Sequence, residues 1–444
     1  MDRGRLADTR RFFGATIPMT VLRIGLCAVI AFSVLAHGTV EVWSESLLEI
    51  SAALLFALWS FLAFRDPNTQ IHWTPLNWPL LGFLTIGLGQ LLLHTTVYAF
   101  PTQTEMLKLL AYVLVFFLAA QAFRERADLT NLIWFLVVLG FGVSLFGIVQ
   151  HFTSPDNQIY WFRELTLGGD PFGPYVNRNH FAGFVELVVP VGLALMVFRG
   201  LRQDLFPMAA LLTILPIGAL ILSGSRGGIV GFGFELAVMA LLVHSQRAPK
   251  QGRTAAMGIV ALVAIALIAW VGAGKAIERF SSLKPGDVSL SRRMTMFQGA
   301  VRVFVSYPVS GAGFGNLVTV FPRYDTVYDG KVVDHIHNDY IELLAETGLL
   351  GGLCGIAFLW IFFREAHRNF RAEQGHFSRA LHAGAIMAVS GLLLHSFVDF
   401  NLHIPSNALL FLLQAYLATS PPLPSTSFSS RRRDSKRSPL EAAA

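Results

Sequence analysis

The side chains best suited to chemistry lie between Asp334 and Gly352, in the stretch DHIHNDYIELLAETGLLGG. Two histidines, an asparagine and several acids stand there, directly before a glycine-rich apolar run. Because such polar groups are costly in hydrocarbon, we expect them at the mouth of a membrane helix. A neutral imidazole can take a proton from a hydroxyl group near physiological pH. His337 is therefore the candidate catalytic base, and Asn338 and Asp339 could orient the imidazole or the group that it deprotonates.

Two other roles remain open for His337. It could be a cap-like polar residue before the membrane helix, or it could bind a metal ion, because Asp334, His335 and Asp339 are close in sequence. A zinc motif usually shows its ligands at helical or knuckle spacing together with further partners, and this stretch lacks that pattern. We therefore favour catalysis or direct substrate binding, and we predict no metal site.

An isolated arginine, Arg226, stands in the motif SGSRGG with apolar residues for many positions on both sides. One interpretation is a tight turn between two helices, with glycines at positive φ and an arginine that reaches the membrane interface. The other is a guanidinium that binds phosphate, because the glycines allow close backbone approach and the planar group offers bidentate contact. We favour phosphate binding for Arg226.

Two adjacent arginines, Arg292 and Arg293, begin the run SRRMTMFQGAVRVFVSYPVSGAGFGNL. Residues 293–305 have the pattern of an amphipathic helix, and the proline and three glycines that follow mark its exit. A solvated helix face is one explanation for these arginines, and anion binding is the other. The GAGFG segment does not indicate a nucleotide loop, because no strand precedes it within a βαβ unit.

Two further segments carry polar residues beside apolar helices. In PYVNRNHFAGFVE, the residues Arg178, Asn179 and His180 stand at the entrance of a predicted span, where polar capping is the alternative explanation. In HSFVDFNLHIPSNALLF, we expect Asp399 and His403 to lie on the outer side and to form a polar network with the long loop before His337. All five are candidate substrate-binding residues.

The composition is typical of a membrane protein. The chain has 444 residues, of which 54% are hydrophobic and 14% are charged, and its mean hydropathy is +0.55. A soluble domain carries about 25% charged residues. We attribute the net charge of +6 to basic residues in short loops, so nucleic acid is not an expected partner. Only Cys27 and Cys354 are present, each in an apolar span, which indicates neither a disulfide framework nor a cysteine metal site.

Repeated apolar runs of about 20 residues predict an all-α polytopic protein with about twelve transmembrane helices. The first run lacks a small-residue cleavage site, so we interpret it as a retained span and not as a signal peptide. The predicted spans are 18–36, 46–64, 78–95, 105–123, 130–150, 179–198, 205–223, 229–244, 255–273, 341–363, 380–398 and 405–419.

Basic residues alternate between successive loops. Loops 37–45 and 96–104 contain no Lys or Arg, whereas the loops on the other side are basic. By the positive-inside rule, both termini are expected in the cytoplasm and the neutral loops outside. The expected organisation is a cytoplasmic N-terminus (1–17), nine helices (18–273), an extracytoplasmic loop domain (274–340), three helices (341–419) and a disordered cytoplasmic tail (420–444).

The histidine stretch resembles the O-antigen ligase family, which includes O-antigen ligases, O-antigen polymerases and related oligosaccharyltransferases. The spacing that carries the resemblance is His337 and Asn338, nine residues, Gly348, two residues and Gly351. The SRGG element around Arg226 resembles the arginine motif of the family. The similarity extends over residues 175–411, and the first five spans match only in general character.

The run that begins at Arg292 resembles a second family pattern. This pattern has an arginine, three residues, an aromatic residue, and then a proline and a Gly-x-Gly-x-Gly turn. Arg293 and Phe297 take the first two places, although the family more often has tryptophan at the aromatic position. The choice between Arg292 and Arg293 as the motif arginine therefore stays open.

The resemblance implies a glycosyltransferase of the membrane-embedded (GT-C) type, acting by metal-independent, inverting transfer without a cofactor. Its donor would be a glycan on a polyprenyl diphosphate, with the diphosphate bound by Arg226 and Arg293. The acceptor would be lipid A core or another glycan or protein hydroxyl, deprotonated by His337. The resemblance also implies the cytoplasmic membrane of a bacterium, with the site facing the periplasm.

Three functions are compatible with these patterns. The first is an O-antigen ligase, and the second is a related transferase, either a polysaccharide polymerase or a protein O-oligosaccharyltransferase. The third is a non-enzymatic glycolipid transporter. Transporters often show internal repeats and broken helices near the bilayer midplane. We find no clear repeat, and the polar residues are predicted at the outer surface, so transport is the least favoured function.

Overall fold

Apolar helices make up most of the fold. The computed structural model describes residues 3–155, 158–165, 169–245, 288–327, 330 and 332–423. Within these residues, eight helices are long and apolar enough to cross a membrane. The prediction of an all-α polytopic membrane protein is confirmed.

Thirteen α-helices follow one another along the described residues, and the only strands found there are two short ones that form an antiparallel hairpin. The helices are α1 (Arg3–Leu35), α2 (Val42–Arg65), α3 (Asn77–Leu92), α4 (Ala99–Ala122), α5 (Arg126–Thr153), α6 (Arg178–Val197), α7 (Phe206–Ser223), α8 (Arg226–Ser245), α9 (Val288–Ser306), α10 (Leu317–Val320), α11 (Asp339–Ala372), α12 (His376–His395) and α13 (Pro405–Thr419). The strands are β1 (Gln158–Ile159) and β2 (Arg163–Glu164).

Eleven of the twelve predicted spans coincide with these helices. The ninth, 255–273, lies outside the described residues, as do residues 424–444 of the predicted tail. Helices α3 and α13 contain only 16 and 15 residues, fewer than the ~20 of a typical crossing. Helix α12 ends at His395, three residues earlier than predicted, and the segment that follows carries several of the candidate site residues.

Helices α6 and α12 form the centre of the bundle. Within the most apolar part of each helix, 94% of α6 and 83% of α12 is buried, compared with 17% of the peripheral helix α2. They pack against each other, and both also contact α8 and α13. Polar side chains on these central helices are therefore shielded from both lipid and water.

Helix α11 is broken at Gly348, where φ is +62° and ψ is −158°. The break exposes the carbonyl oxygens of Ala345 and Glu346, which accept hydrogen bonds from Ala312 N at 2.9 Å and Gly313 N at 3.0 Å. A Cβ atom at Gly311 would lie only 2.1 Å from the carbonyl carbon of Glu346. The glycine-rich turn after α9 therefore docks onto the break, which explains why glycines occur in both motifs.

The described part of the long loop has an apolar cluster of its own, separate from the main core. It joins α9 and the turns after it to the first turns of α11 and to the segment before His337. Its buried members are Met296, Ala300, Val303, Ala312, Leu317, Val320, Phe321, Val333, Ile336 and Ala345. This cluster fixes the loop against the end of α11 at which the candidate catalytic residues lie.

Candidate functional site

His337 lies in a constrained turn immediately before α11. Its φ is +54°, a left-handed conformation that is uncommon for a residue other than glycine. The next residue, Asn338, caps the helix: its Oδ1 accepts hydrogen bonds from Tyr340 N at 3.1 Å and Ile341 N at 3.0 Å. Its Nδ2 donates to Phe397 O at 2.9 Å. Asn338 therefore holds the turn in place, and this role accounts for its presence without a substrate.

The imidazole of His337 faces the carboxylate of Asp399. Nδ1 of His337 lies 3.3 Å from Oδ1 of Asp399, and the histidine side chain is 24% exposed while that of the aspartate is 1% exposed. Nε2 of His180 lies 3.8 Å from the same carboxylate oxygen. Burial disfavours ionised Asp399, but the two histidines outweigh burial and hold the pKa of Asp399 well below its usual range.

Phe400 fills the space between three histidines. Its ring centroid lies 4.7 Å from that of His180, 4.5 Å from that of His335 and 5.0 Å from that of His337. The His335 ring stacks on Phe400, whereas the other two approach it edge-on. Phe400 thus sets the separation of the imidazoles, a role that its position in the sequence did not indicate.

A second carboxylate–histidine network lies beside the first. Nδ1 of His403 is 2.8 Å from Oδ1 of Asp339, and Nδ1 of His335 is 2.6 Å from Oε1 of Glu342. Nε2 of His403 is 3.5 Å from the same Glu342 oxygen. Burial lowers the pKa of His403, but Glu342 and Asp339 outweigh it and raise this pKa to about 10. The network joins α11 to the segment that follows α12.

Three of these side chains have the geometry to hold a metal ion. One donor atom from each of His335, Glu342 and His403 lies within 4.8 Å of the others. In the described residues these atoms already pair with one another, so hydrogen bonding and charge account for the arrangement. His337, for which metal binding was the disfavoured alternative, is not a member of this group.

Helix α9 presents its two adjacent arginines to different partners. Arg292 makes a bidentate contact with Asp325, with both N–O distances at 2.7 Å, and this contact lowers the pKa of Asp325. Nη1 of Arg293 donates to Val398 O at 3.0 Å. Of the two arginines, Arg293 is therefore the one that reaches the segment containing Asp399. The motif aromatic, Phe297, is 39% exposed.

Arg226 is the first residue of α8. Gly224, at φ +65°, ends α7, and Ser225 caps α8 by accepting a hydrogen bond from Gly228 N at 3.2 Å. A Cβ atom at Gly227 would lie 2.5 Å from His395 Nε2 and 3.2 Å from Val398 Cγ2. The SGSRGG motif is thus a tight turn, and it also brings the start of α8 against the segment 395–398. The N-terminus of a helix favours bound anions.

The residues at the start of α6 divide into two groups. His180 is buried and joins Asp399 and Phe400. Arg178 forms an ion pair with Asp170 at 2.5 Å, and the backbone N–H of Asn179 donates to the capping side chain of Asn177. The polar capping that was weighed for this segment is therefore present, and of its three candidates only His180 contacts Asp399.

An apolar cavity of about 400 Å³ lies beside α11, and Arg293 is not among the residues that line it. It is bounded mainly by α3, α4, α11 and α13, and its walls are rich in leucine and aromatic side chains. Polar groups are few: Asp339 and His403 line it together with Glu105 and Lys108. The cavity therefore provides a hydrocarbon-like space directly beside the second carboxylate–histidine network.

Glu342 and Glu346 belong to this region although the sequence interpretation passed over them. Glu342 accepts a hydrogen bond from Ile336 N at 3.1 Å, and Glu346 accepts one from Leu317 N at 3.1 Å. The signal that could have found them is helical spacing. Asp339, Glu342 and Glu346 lie three and four residues apart, so they share one face of α11.

Comparison with known proteins supports the resemblance noted from the motifs. Residues 210–356 match the family model of O-antigen ligase. The teichuronic acid biosynthesis protein TuaE of Bacillus subtilis (strain 168) is 23% identical over 290 residues, which cover 61% of this chain and 56% of that relative. The predicted resemblance to the O-antigen ligase family is confirmed. The matched segment contains Arg226, Arg293 and His337 but ends before Asp399 and His403.

Proposed function

We propose that this protein is a membrane-embedded, GT-C-type glycosyltransferase that moves a glycan from a polyprenyl diphosphate to an acceptor hydroxyl. One observation carries the proposal. Arg226, Arg293 and His337 come from three distant parts of the chain, and the elements that hold them all contact the short segment 395–399. Two cations and a histidine beside one segment match what this reaction requires.

The arginines are assigned to the donor. A diphosphate is a good leaving group, so the anomeric carbon is already activated and no nucleotide cofactor is required. Guanidinium groups would bind the diphosphate and stabilise the charge that develops on it as the glycosidic bond breaks. The N-terminus of α8, which carries Arg226, adds a favourable dipole. We therefore propose a metal-independent reaction.

His337 is assigned to the acceptor. Its Nδ1 faces Asp399, so Nε2 is the nitrogen that would accept the proton from the acceptor hydroxyl. The buried, ionised Asp399 would favour this tautomer and stabilise the imidazolium that forms. Direct attack by the acceptor on the face opposite the diphosphate would invert the anomeric configuration.

The apolar cavity suits a lipid chain. Its volume and apolar walls resemble those of small-molecule sites, and a lipid chain in it would bring its polar head towards Asp339 and His403. Since neither Arg226 nor Arg293 lines the cavity, we assign the cavity to the acceptor lipid. This assignment favours a ligase that acts on lipid A core or a comparable lipid-borne glycan.

A polymerase that joins repeat units is the second candidate. TuaE is named for teichuronic acid biosynthesis, and teichuronic acid is itself a polysaccharide. Either enzyme would act on the outer face of the cytoplasmic membrane, with both termini in the cytoplasm. Protein O-glycosylation and glycolipid transport remain lower-ranked alternatives.

The test is transfer by the purified protein in lipid nanodiscs. A synthetic polyprenyl-diphosphate oligosaccharide would be offered with lipid A core, with a hydroxyl-bearing peptide, or alone, and products would be identified by mass spectrometry and by the anomeric configuration. We expect transfer to lipid A core with inversion, unchanged in excess EDTA. His376→Ala is the matched control for His337→Ala. His376 is the first residue of α12, at the end of that helix far from the site, and its only hydrogen bond among the described contacts is to Phe198 O.

Other outcomes would change the assignment. Chain extension without an added acceptor would identify a polymerase, and modification of the peptide would identify a protein glycosyltransferase. After reconstitution into sealed liposomes, donor movement across the bilayer without any transfer would contradict enzymatic function. Activity lost in EDTA and restored by a divalent ion would overturn metal independence and would point to His335, Glu342 and His403 as the first ligands to test.

A further inference from the structure

Two glutamates are fully buried among the central helices. Glu186 lies on α6 and Glu235 on α8, and both are 0% exposed. Glu235 is nine residues beyond Arg226, which places it about 13 Å along α8 from the start of that helix. Ionisable side chains inside membrane helices are rare, and they usually mark a functional site.

In the part of the chain that the structure describes, only one of the two carboxylates has a hydrogen-bond partner. Oε2 of Glu186 lies 3.0 Å from Nδ1 of His395, the last residue of α12. Oε1 of Glu186, both carboxylate oxygens of Glu235 and Nε2 of His395 are buried, and none of them has a hydrogen-bond partner among the described residues. Four unpartnered polar atoms in one buried region are unusual, because buried polar groups are almost always paired.

Two glycines make the space that these carboxylates occupy. A Cβ atom at Gly231 of α8 would lie 2.1 Å from Oε1 of Glu186, and one at Gly391 of α12 would lie 2.3 Å from Oε1 of Glu235. The carbonyl oxygen of Gly391 is 3.3 Å from the Cβ position of Gly231. Both carboxylates therefore border the same contact between α8 and α12, with a backbone oxygen beside them.

The charges in this region do not balance. Within the described ranges, the titratable groups near Glu235 on the surrounding helices are Glu186 and His395, with Asp399 beyond the end of α12. Helix α7, which also contacts α8, has no titratable residue. One imidazolium could neutralise Glu186 but not Glu235 as well. A buried carboxylate without a counter-charge is strongly disfavoured, so Glu235 requires a proton or a cation.

We propose that Glu186 and Glu235 form a binding site for one small monovalent cation, either a proton or Na⁺, between α6, α8 and α12. Carboxylate and carbonyl oxygens are suitable ligands for Na⁺, and a carboxyl pair is equally able to hold a single proton. The bound cation would fasten α8, which begins with Arg226, against the central helix α12. This site is independent of the function proposed above, since it concerns binding and not transfer.

The experiment measures the unfolding temperature of the full-length protein in lipid nanodiscs at pH 6, 7.5 and 9. NaCl would be replaced stepwise by choline chloride at constant ionic strength. If Na⁺ binds, the unfolding temperature of the wild type should rise by about 2–4 °C at pH 9 when Na⁺ exceeds its dissociation constant a hundredfold. If only a proton binds, wild type should lose stability from pH 6 to 9 at every Na⁺ concentration.

The Glu235→Gln variant separates this site from the rest of the protein. Glutamine is neutral and similar in size. The rise in unfolding temperature with Na⁺, or the part of its fall with pH that belongs to this site, should therefore be absent. Glu365→Gln is the matched control, because Glu365 is a buried glutamate at the other end of α11 that pairs with Arg368. It should retain the wild-type responses. Identical responses in wild type and Glu235→Gln would overturn the proposal.

Infrared difference spectra of the wild type provide a second measurement that requires no variant. A buried carboxyl that exchanges a proton should change its protonated-carboxyl band between pH 6 and 9, and one that binds Na⁺ should change its carboxylate bands when Na⁺ replaces choline. If Glu235→Gln fails to fold, these spectra can still overturn the proposal. Wild-type spectra without either change would contradict the cation site.

Discussion

Asp399 directs a carboxylate oxygen at Nδ1 of His337 across 3.3 Å, although 62 residues separate them in the chain. The carboxylate is buried and the imidazole is partly exposed, so one face of the histidine is fixed by the protein while the other remains available. This is the arrangement by which a carboxylate orients a histidine that exchanges a proton with substrate.

Replacement of His337 by alanine should abolish most transfer without preventing folding. Loss of a general base costs about 10²- to 10⁴-fold in rate. Donor affinity should remain close to that of wild type, because the proton comes from the acceptor. Turnover with saturating acceptor and donor binding by the purified variant are the two measurements. Near wild-type turnover would remove His337 from the mechanism.

Replacement of Asp399 by asparagine should keep the size of the side chain and remove its charge. We expect a loss of about 10- to 100-fold in turnover, as is common when the group that orients a histidine is changed.

Because the pKa of Asp399 is depressed in the folded state, its contribution to stability is present above the ordinary value of about 4 and is lost as pH falls through the folded pKa. The difference in unfolding temperature between wild type and variant should therefore shrink at acidic pH. A difference that grows towards low pH would contradict this role.

Lysine substitutions should distinguish the adjacent arginines of α9. Arg293→Lys should weaken donor binding at least about tenfold, because lysine keeps the charge but loses the planar, bidentate group. Arg226→Lys should behave in the same way. Arg292→Lys is the control: it breaks the bidentate contact with Asp325, so it should lower the unfolding temperature and leave donor affinity unchanged. A loss of donor affinity in Arg292→Lys alone would reverse the assignment of the two arginines.

The helices could be predicted from the sequence because each apolar run is long enough to be recognised as a helix without information about tertiary contacts. The polar contacts between the start of α11 and the segment after α12 were partly predictable as well. Asp399 and His403 were expected to meet the residues before α11, and they contact His337 and Asp339. Here the sequence signal was the occurrence of polar residues beside the ends of apolar runs.

Other contacts depend on tertiary packing and left no local signal. Arg292 and Arg293 are neighbours, yet one pairs with Asp325 and the other reaches Val398 O, 105 residues away. The place of Phe400 among three histidines likewise depends on how α6, α11 and α12 converge. Glu186 and Glu235 each stand within an apolar run and were not singled out from the sequence, and only the structure brings them to one helix contact.

The pH dependence of stability should report the second histidine network. The pKa of His403 is raised to about 10 from an ordinary value of about 6.5, so the protonated form is favoured by folding. The resulting stabilisation is fully present below pH ~6.5 and is lost as pH rises through ~10. His403→Gln should therefore reduce the fall in unfolding temperature between these values. Any Na⁺ response that depends on Glu235 should persist in this variant. A pH profile identical to that of the wild type would contradict the charged state of His403.

The predicted orientation in the membrane rests on the charges of the loops and can be tested by cysteine labelling. In a variant without Cys27 and Cys354, single cysteines would replace Val332, before His337, and Arg202, in the loop between α6 and α7. Val332 is 79% exposed and the Arg202 side chain is 81% exposed, so a membrane-impermeant thiol reagent would reach both. We expect labelling of position 332 in intact cells and of position 202 only after the membrane is opened. The segment before His337 lies at one end of the bundle and the basic loop at the other, because α6 spans the distance between the site and Arg202. The reverse pattern would place His337 in the cytoplasm and exclude transfer on the outer face.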